Sequence, residues 1–258
     1  MTLSVATRMF SAEVLKLRRN RALMGFAFLL SVVVIVIVFG YTAIQHSSNP
    51  SQNLPAGGID GFHRALRLLG LFFGGLTAIL IGSEAGTADI GSGVFRDLVA
   101  TGRSRLSLFA VRAPAAIAVT LAFTVLAYAL AVIGTFAFAD GQPTPSASVV
   151  IQGLGWIALG NAIMAALAVG VGSITGSRAV TLTGVIGWQT VATQLLINVT
   201  SLGSARNVLL TPALGQLIPV GPNIEGVSMA TGTAVIVLIC WAVIPAALGT
   251  WRTRVRDA

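Results

Sequence analysis

The sequence is poor in charge: 9% of its 258 residues are Asp, Glu, Lys or Arg, where a soluble domain carries roughly 25%. Too little polar surface remains to face water, which excludes a soluble globule. Lysine is scarcer still, since Lys16, in Glu13-Val-Leu-Lys-Leu-Arg-Arg19, is the only one. A nucleotide-hydrolysing P-loop needs a lysine behind a glycine-rich turn, so no hydrolysis of nucleotide is expected from this chain itself, nor any bound cofactor. His46 and His63 lie in or beside one connection with no His-x-x-x-His or Cys/His cluster near them. They are expected as solvated loop histidines, and no metal site is expected. Cys240, the single cysteine, excludes an intramolecular disulfide and sits in the last apolar block as a small hydrophobe. No span presents a Ser/His, His/Asp or paired-carboxylate set, which argues against an intramembrane enzyme.

What is abundant is apolar: 55% hydrophobic residues and a mean hydropathy of +0.88. These residues fall in blocks of about 20, the length that crosses a bilayer core of ~30 Å as a helix. A β-barrel would instead show ~10-residue alternating segments. Backbone groups in hydrocarbon must be satisfied internally, which favours helix. The expected fold class is all-α: a single domain over 1–258 with six transmembrane helices at about 22–41, 66–83, 113–138, 149–176, 179–200 and 232–251. The run 22–40 is longer than a signal-peptide core and lacks a clear Ala-x-Ala exit, so it is expected to be retained as the first span.

Orientation follows from the cations. Arg8, Lys16, Arg18, Arg19 and Arg21 precede span one; Arg96, Arg103, Arg105 and Arg112 separate spans two and three; Arg178 separates four and five; Arg252, Arg254 and Arg256 follow span six. The other side holds Arg64, Arg67 and Arg206. The positive-inside rule then predicts both termini and the 84–112 loop in the cytoplasm. The net charge of +8 is thereby absorbed by topology, and no nucleic acid is expected as a partner. The external 201–231 connection contains an apolar stretch, 208–220, too short to span and broken by proline. It reads either as a piece dipping into the outer leaflet or as a covering loop.

Three stretches carry candidate function. Before span one, Phe10, Val14 and Leu17 recur at helical spacing while Arg8, Glu13, Lys16 and Arg19 take other faces, as in a helix at the lipid–water boundary. A topogenic basic tail is the equal alternative. Between spans two and three, Val94/Leu98 and Phe95/Val99 form i, i+4 pairs, with Arg96 and Asp97 facing elsewhere and Thr101-Gly102 as a stop. A short exposed amphipathic helix suits docking of a partner, against the plainer reading of a linker. In span five, Thr183, Thr190, Gln194, Asn198 and Ser201 are spaced to share one face. They would line a translocation path, with Thr190, Gln194 and Asn198 as its candidates, or bond neighbouring helices. Gly70/Gly74, Gly82/Gly86 and Gly172/Gly176 are pairs that would allow close helix packing.

At these residues the chain resembles the permease subunit of a bacterial ATP-binding-cassette (ABC) transporter of the type-2 exporter family. Ala12-Glu13-Val14-Leu15-Lys16-Leu17-Arg18 is similar to the family's elbow helix, and Gly82-Ser83-Glu84 and Ser104-Arg105 to the ends of its first cytoplasmic loop. The resemblance covers the whole chain. It implies an elbow helix at about 5–21 with Glu13, Lys16, Arg18 and Arg19, and a coupling helix in 94–105. The expected ATPase-docking residues are Glu84, Val94, Phe95, Arg96, Asp97, Leu98, Arg103 and Arg105. It also implies a separate ATPase subunit that binds ATP and Mg, a second permease chain in a homodimer or heterodimer, and a place in the bacterial cytoplasmic membrane. The loop 84–93 is richer in glycine and poorer in charge than in many relatives. An ion-coupled carrier is the first rival, disfavoured because Glu84, Asp89, Asp97 and Asp140 read as loop or span-edge residues. A membrane anchor or assembly protein that transports nothing is the second.

Overall fold

The computed structural model describes residues 3–93, 104–219, 227 and 229–255, and among them every regular element is a helix. An amphipathic helix α1 (Leu3–Arg19) precedes six helices long and apolar enough to cross a membrane. These are α2 (Arg21–Ser48), α3 (Gly58–Gly91), α4 (Arg105–Ala137), α5 (Ala147–Thr175), α6 (Arg178–Asn198) and, after a short α7 (Leu210–Gln216), α8 (Thr231–Val255). The sequence placed all six spans, but the second is longer than expected. α3 starts eight residues before 66 and runs through Glu84 and Asp89 to Gly91, so the first turns of the expected loop are helix.

The helices interrupt their own regularity at definite places. α2, α3 and α6 each contain one π turn, at Leu29–Val33, Leu68–Phe72 and Trp188–Ala192. α4 breaks at Val111 and resumes at Arg112, with Pro114, which has no amide hydrogen to give, in the restarted first turn. Ser104 caps α4, its hydroxyl accepting from the Ser107 amide at 3.2 Å.

α5 is the centre of the bundle and packs against α3, α4 and α8. Small residues set these distances. A Cβ on Gly82 would stand 2.5 Å from the Ala165 carbonyl oxygen, and one on Gly86 2.7 Å from that of Val169. A Cβ on Gly170 would stand 2.5 Å from the backbone of Pro245, where α8 crosses. Gly176 does not pack as its spacing with Gly172 suggested. It ends α5 in the left-handed conformation, φ 68°, which glycine adopts at little cost.

At the end away from α1, the 49–57 connection docks on the α4–α5 turn, with the Gly57 amide donating to the Phe138 carbonyl and the Ile59 amide to that of Pro143, both at 2.8 Å. His46 is not a solvated loop histidine. Its Nδ1 lies 2.7 Å from the Asn53 carbonyl oxygen and its Nε2 2.9 Å from Asp140 Oδ2. His63 lies within α3, half-buried.

Within the expected 208–220 stretch, Leu210–Gln216 form α7, and residues 210–215 are all buried. Trp156 Nε1 of α5 donates to the Leu214 carbonyl at 2.8 Å, Gln189 Nε2 of α6 donates to Thr211 Oγ1 at 2.7 Å, and Trp241 Nε1 of α8 donates to the Val208 carbonyl at 2.8 Å. Trp156 is nine residues into α5, roughly 14 Å along its axis at ~1.5 Å per residue. α7 is therefore sunk among three helices and does not lie over them, the arrangement in which non-spanning backbone is tolerated at depth.

Candidate functional site

The residues that stand out chemically are charged and buried, and they gather at the end of the bundle that carries α1. Asp89, in the last turns of α3, has a side chain 8% exposed, and Arg112 of α4 is 1% exposed. Arg112 Nη2 donates to Asp89 Oδ2 at 2.8 Å. Lys16 of α1 reaches the same carboxylate, 3.0 Å from Oδ1 and 3.2 Å from Oδ2, and also meets Glu13 Oε2 at 2.6 Å. Two cations and two carboxylates thus balance, which is what keeping charge in a low-dielectric site demands. α1 also inserts Leu17 into an apolar cluster with Leu23, Ile81, Phe109 and Val169. It is held to the bundle by both apolar burial and ion pairing.

Glu84 forms a second junction five residues earlier on α3. Its Oε2 lies 2.8 Å from Arg178 Nη1, at the start of α6, and its Oε1 accepts from Asn20 Nδ2 at 3.0 Å. Asn20 is also the N-cap of α2, its Oδ1 accepting from the Leu23 amide at 3.1 Å. Ser177 caps α6 in the same way, accepting from the Val180 amide. Glu84 and Asp89 therefore join α1, the α1–α2 corner, α4 and α6 at the C-terminal end of α3.

Of the expected docking residues, the structure places Glu84 in this network and Arg105 as the first residue of α4. Val94, Phe95, Arg96, Asp97, Leu98 and Arg103 lie outside the described residues. Of the elbow residues, Glu13 and Lys16 join the network, while Arg18 and Arg19 are exposed. On α6, Gln194 and Asn198 are exposed and Thr190 is partly buried. The inward polar residues are Thr181, Gln189 and Thr193. The buried line on α6 runs 181, 185, 189, 193 and 197, and Thr190, Gln194 and Asn198 each follow it by one residue, about 100° round the helix. An apolar cavity of about 410 Å³ between α5, α6 and α8 is lined by residues including Leu167, Trp188 and Trp241, and Thr190, Gln194 and Asn198 are not among them.

The sequence places Asp89 as a loop or span-edge residue and Arg112 in the 84–112 loop, and so misses both as partners in a buried pair. The signal against that was the stop itself. No glycine-rich break occurs between Glu84 and Ile90, and Gly91-Ser92-Gly93 supplies one, with Gly93 at φ 76°. Compared with models of known protein families and with curated proteins, the chain matches none.

Proposed function

We propose that this chain is the membrane-spanning permease subunit of an ATP-driven exporter of the ABC type, energised by a separate ATPase subunit and working with a second permease chain. The observation that carries the reading is the attachment of amphipathic α1, through Lys16 and Asp89, to the end of α3 just before 94–103. A push on the 94–105 segment would pass directly to α3, and through Asp89 and Glu84 to α1, α4 and α6. The ATPase would supply ATP, Mg and the force. Closure on ATP would shift the spans between inward-open and outward-open states. In this reading Phe95, Arg96, Asp97 and Arg105 meet the ATPase, the α1 end faces the cytoplasm of a bacterium, and the cargo is unassigned.

The test is affinity purification of the chain from its own membranes beside a Phe95→Ala/Arg96→Glu variant. An ATPase should accompany the wild type and be lost, at least tenfold, from the folded variant. Absence of an ATPase from both samples would sink the proposal.

One observation favours a second reading. Asp89 is an ionisable group buried in a spanning helix, which suits an ion-coupled carrier. Its position near the helix end and its two cationic partners count against ion binding there. Flux driven by an ion gradient with no ATPase present would favour the carrier.

A further inference from the structure

Among the described residues, Glu13 pairs with Lys16, Asp89 with Lys16 and Arg112, and Glu84 with Arg178. Arg8, Arg18, Arg19 and Arg21 are exposed and have no acidic partner among the described residues. Among the exposed residues of α1, 8, 12, 15 and 19 share one helical face, with 7, 11 and 18 beside it. That face holds Ala12 and Leu15, the latter 47% exposed, between arginines. The exposed residues that follow on α2 are apolar and include Phe26 and Leu29, 61% and 49% exposed. Phe26 lies five residues beyond Arg21, about 7 to 8 Å along the helix.

We propose that the outer face of α1 and the α1–α2 corner form a binding surface for anionic phospholipid headgroups, with Arg8, Arg18, Arg19 and Arg21 meeting the phosphates and Phe26 and Leu29 the acyl chains. Surplus positive charge calls for an anion. The exposed apolar start of a span about 7 to 8 Å along the helix fixes the depth as the boundary where phosphate meets hydrocarbon, so the anion is a lipid headgroup. Guanidinium groups bind phosphate in a bidentate fork. The surface rests on charge placement and the spans, and stands whether or not an ATPase is the partner.

The test uses the full chain in bilayer discs of phosphatidylcholine and phosphatidylglycerol, with a fluorophore on Leu15→Cys in a Cys240→Ser background. Quenching by headgroup-labelled anionic lipid is compared with quenching by the zwitterionic one. The anionic lipid is expected at about threefold or greater local excess. Changing the four arginines to glutamine should bring the ratio to about one, and changing them to lysine should keep most of it. Equal quenching by both lipids in the wild type would overturn the proposal and leave the arginines as orientation signals alone. So would an excess that survives in the glutamine variant. Should that variant fail to fold, the wild-type comparison of the two lipids decides.

Discussion

Asp89 is the residue on which most converges, because three helices meet on its carboxylate. Removing one partner from a buried ion network costs about 3–5 kcal/mol, whereas replacing the set with apolar groups of similar volume is often neutral. Asp89→Asn should therefore destabilise the folded chain by about that amount, since Lys16 and Arg112 would face a neutral amide. Asp89→Leu with Arg112→Met should recover most of the loss. Unfolding of the purified proteins in detergent measures both, and a loss below ~1 kcal/mol for Asp89→Asn would contradict the account. The pairing was not legible in the sequence, where residues 16, 89 and 112 are far apart and nothing local links them. What the sequence did mark was Lys16 itself, the chain's only lysine, on an amphipathic helix but on a face other than its apolar one.

Among the elements, the spans were legible because hydrocarbon demands about 20 apolar residues whatever the neighbours. Helix extensions such as 84–91 were not, since a polar helical turn beyond the apolar run leaves no hydropathy signal. The α6 stripe was legible only in part. Its spacing correctly put Thr190, Gln194 and Asn198 on one face, but periodicity does not say which face turns inward, and the neighbours buried Gln189 and Thr193 instead. The Gly82/Gly86 pair was legible as a packing site and is one, with α5 lying against both. Gly86→Leu should force α3 and α5 apart and cost about 1–3 kcal/mol or more, read as a lower unfolding midpoint. Gly25→Ala, at a position with open space around it, should leave the midpoint close to wild type.

For the whole molecule, the asymmetry between the two ends matters most. Among the described residues, the α1 end carries the buried ion network and exposed arginines without acidic partners, Arg8, Arg18, Arg19 and Arg21 among them. The other end is closed by neutral hydrogen bonds, the His46–Asp140 contact and the sunken α7. Under the proposed permease reading, the partner ATPase and the anionic lipid surface would both engage the α1 end. The direct test is ATP hydrolysis measured on the chain isolated in mild detergent from its own membranes, with folding verified in parallel. The account predicts hydrolysis that stays with the chain through purification and falls to background when Phe95→Ala/Arg96→Glu detaches the ATPase. Folded, full-length chain with no hydrolysis and no nucleotide-binding partner would contradict it.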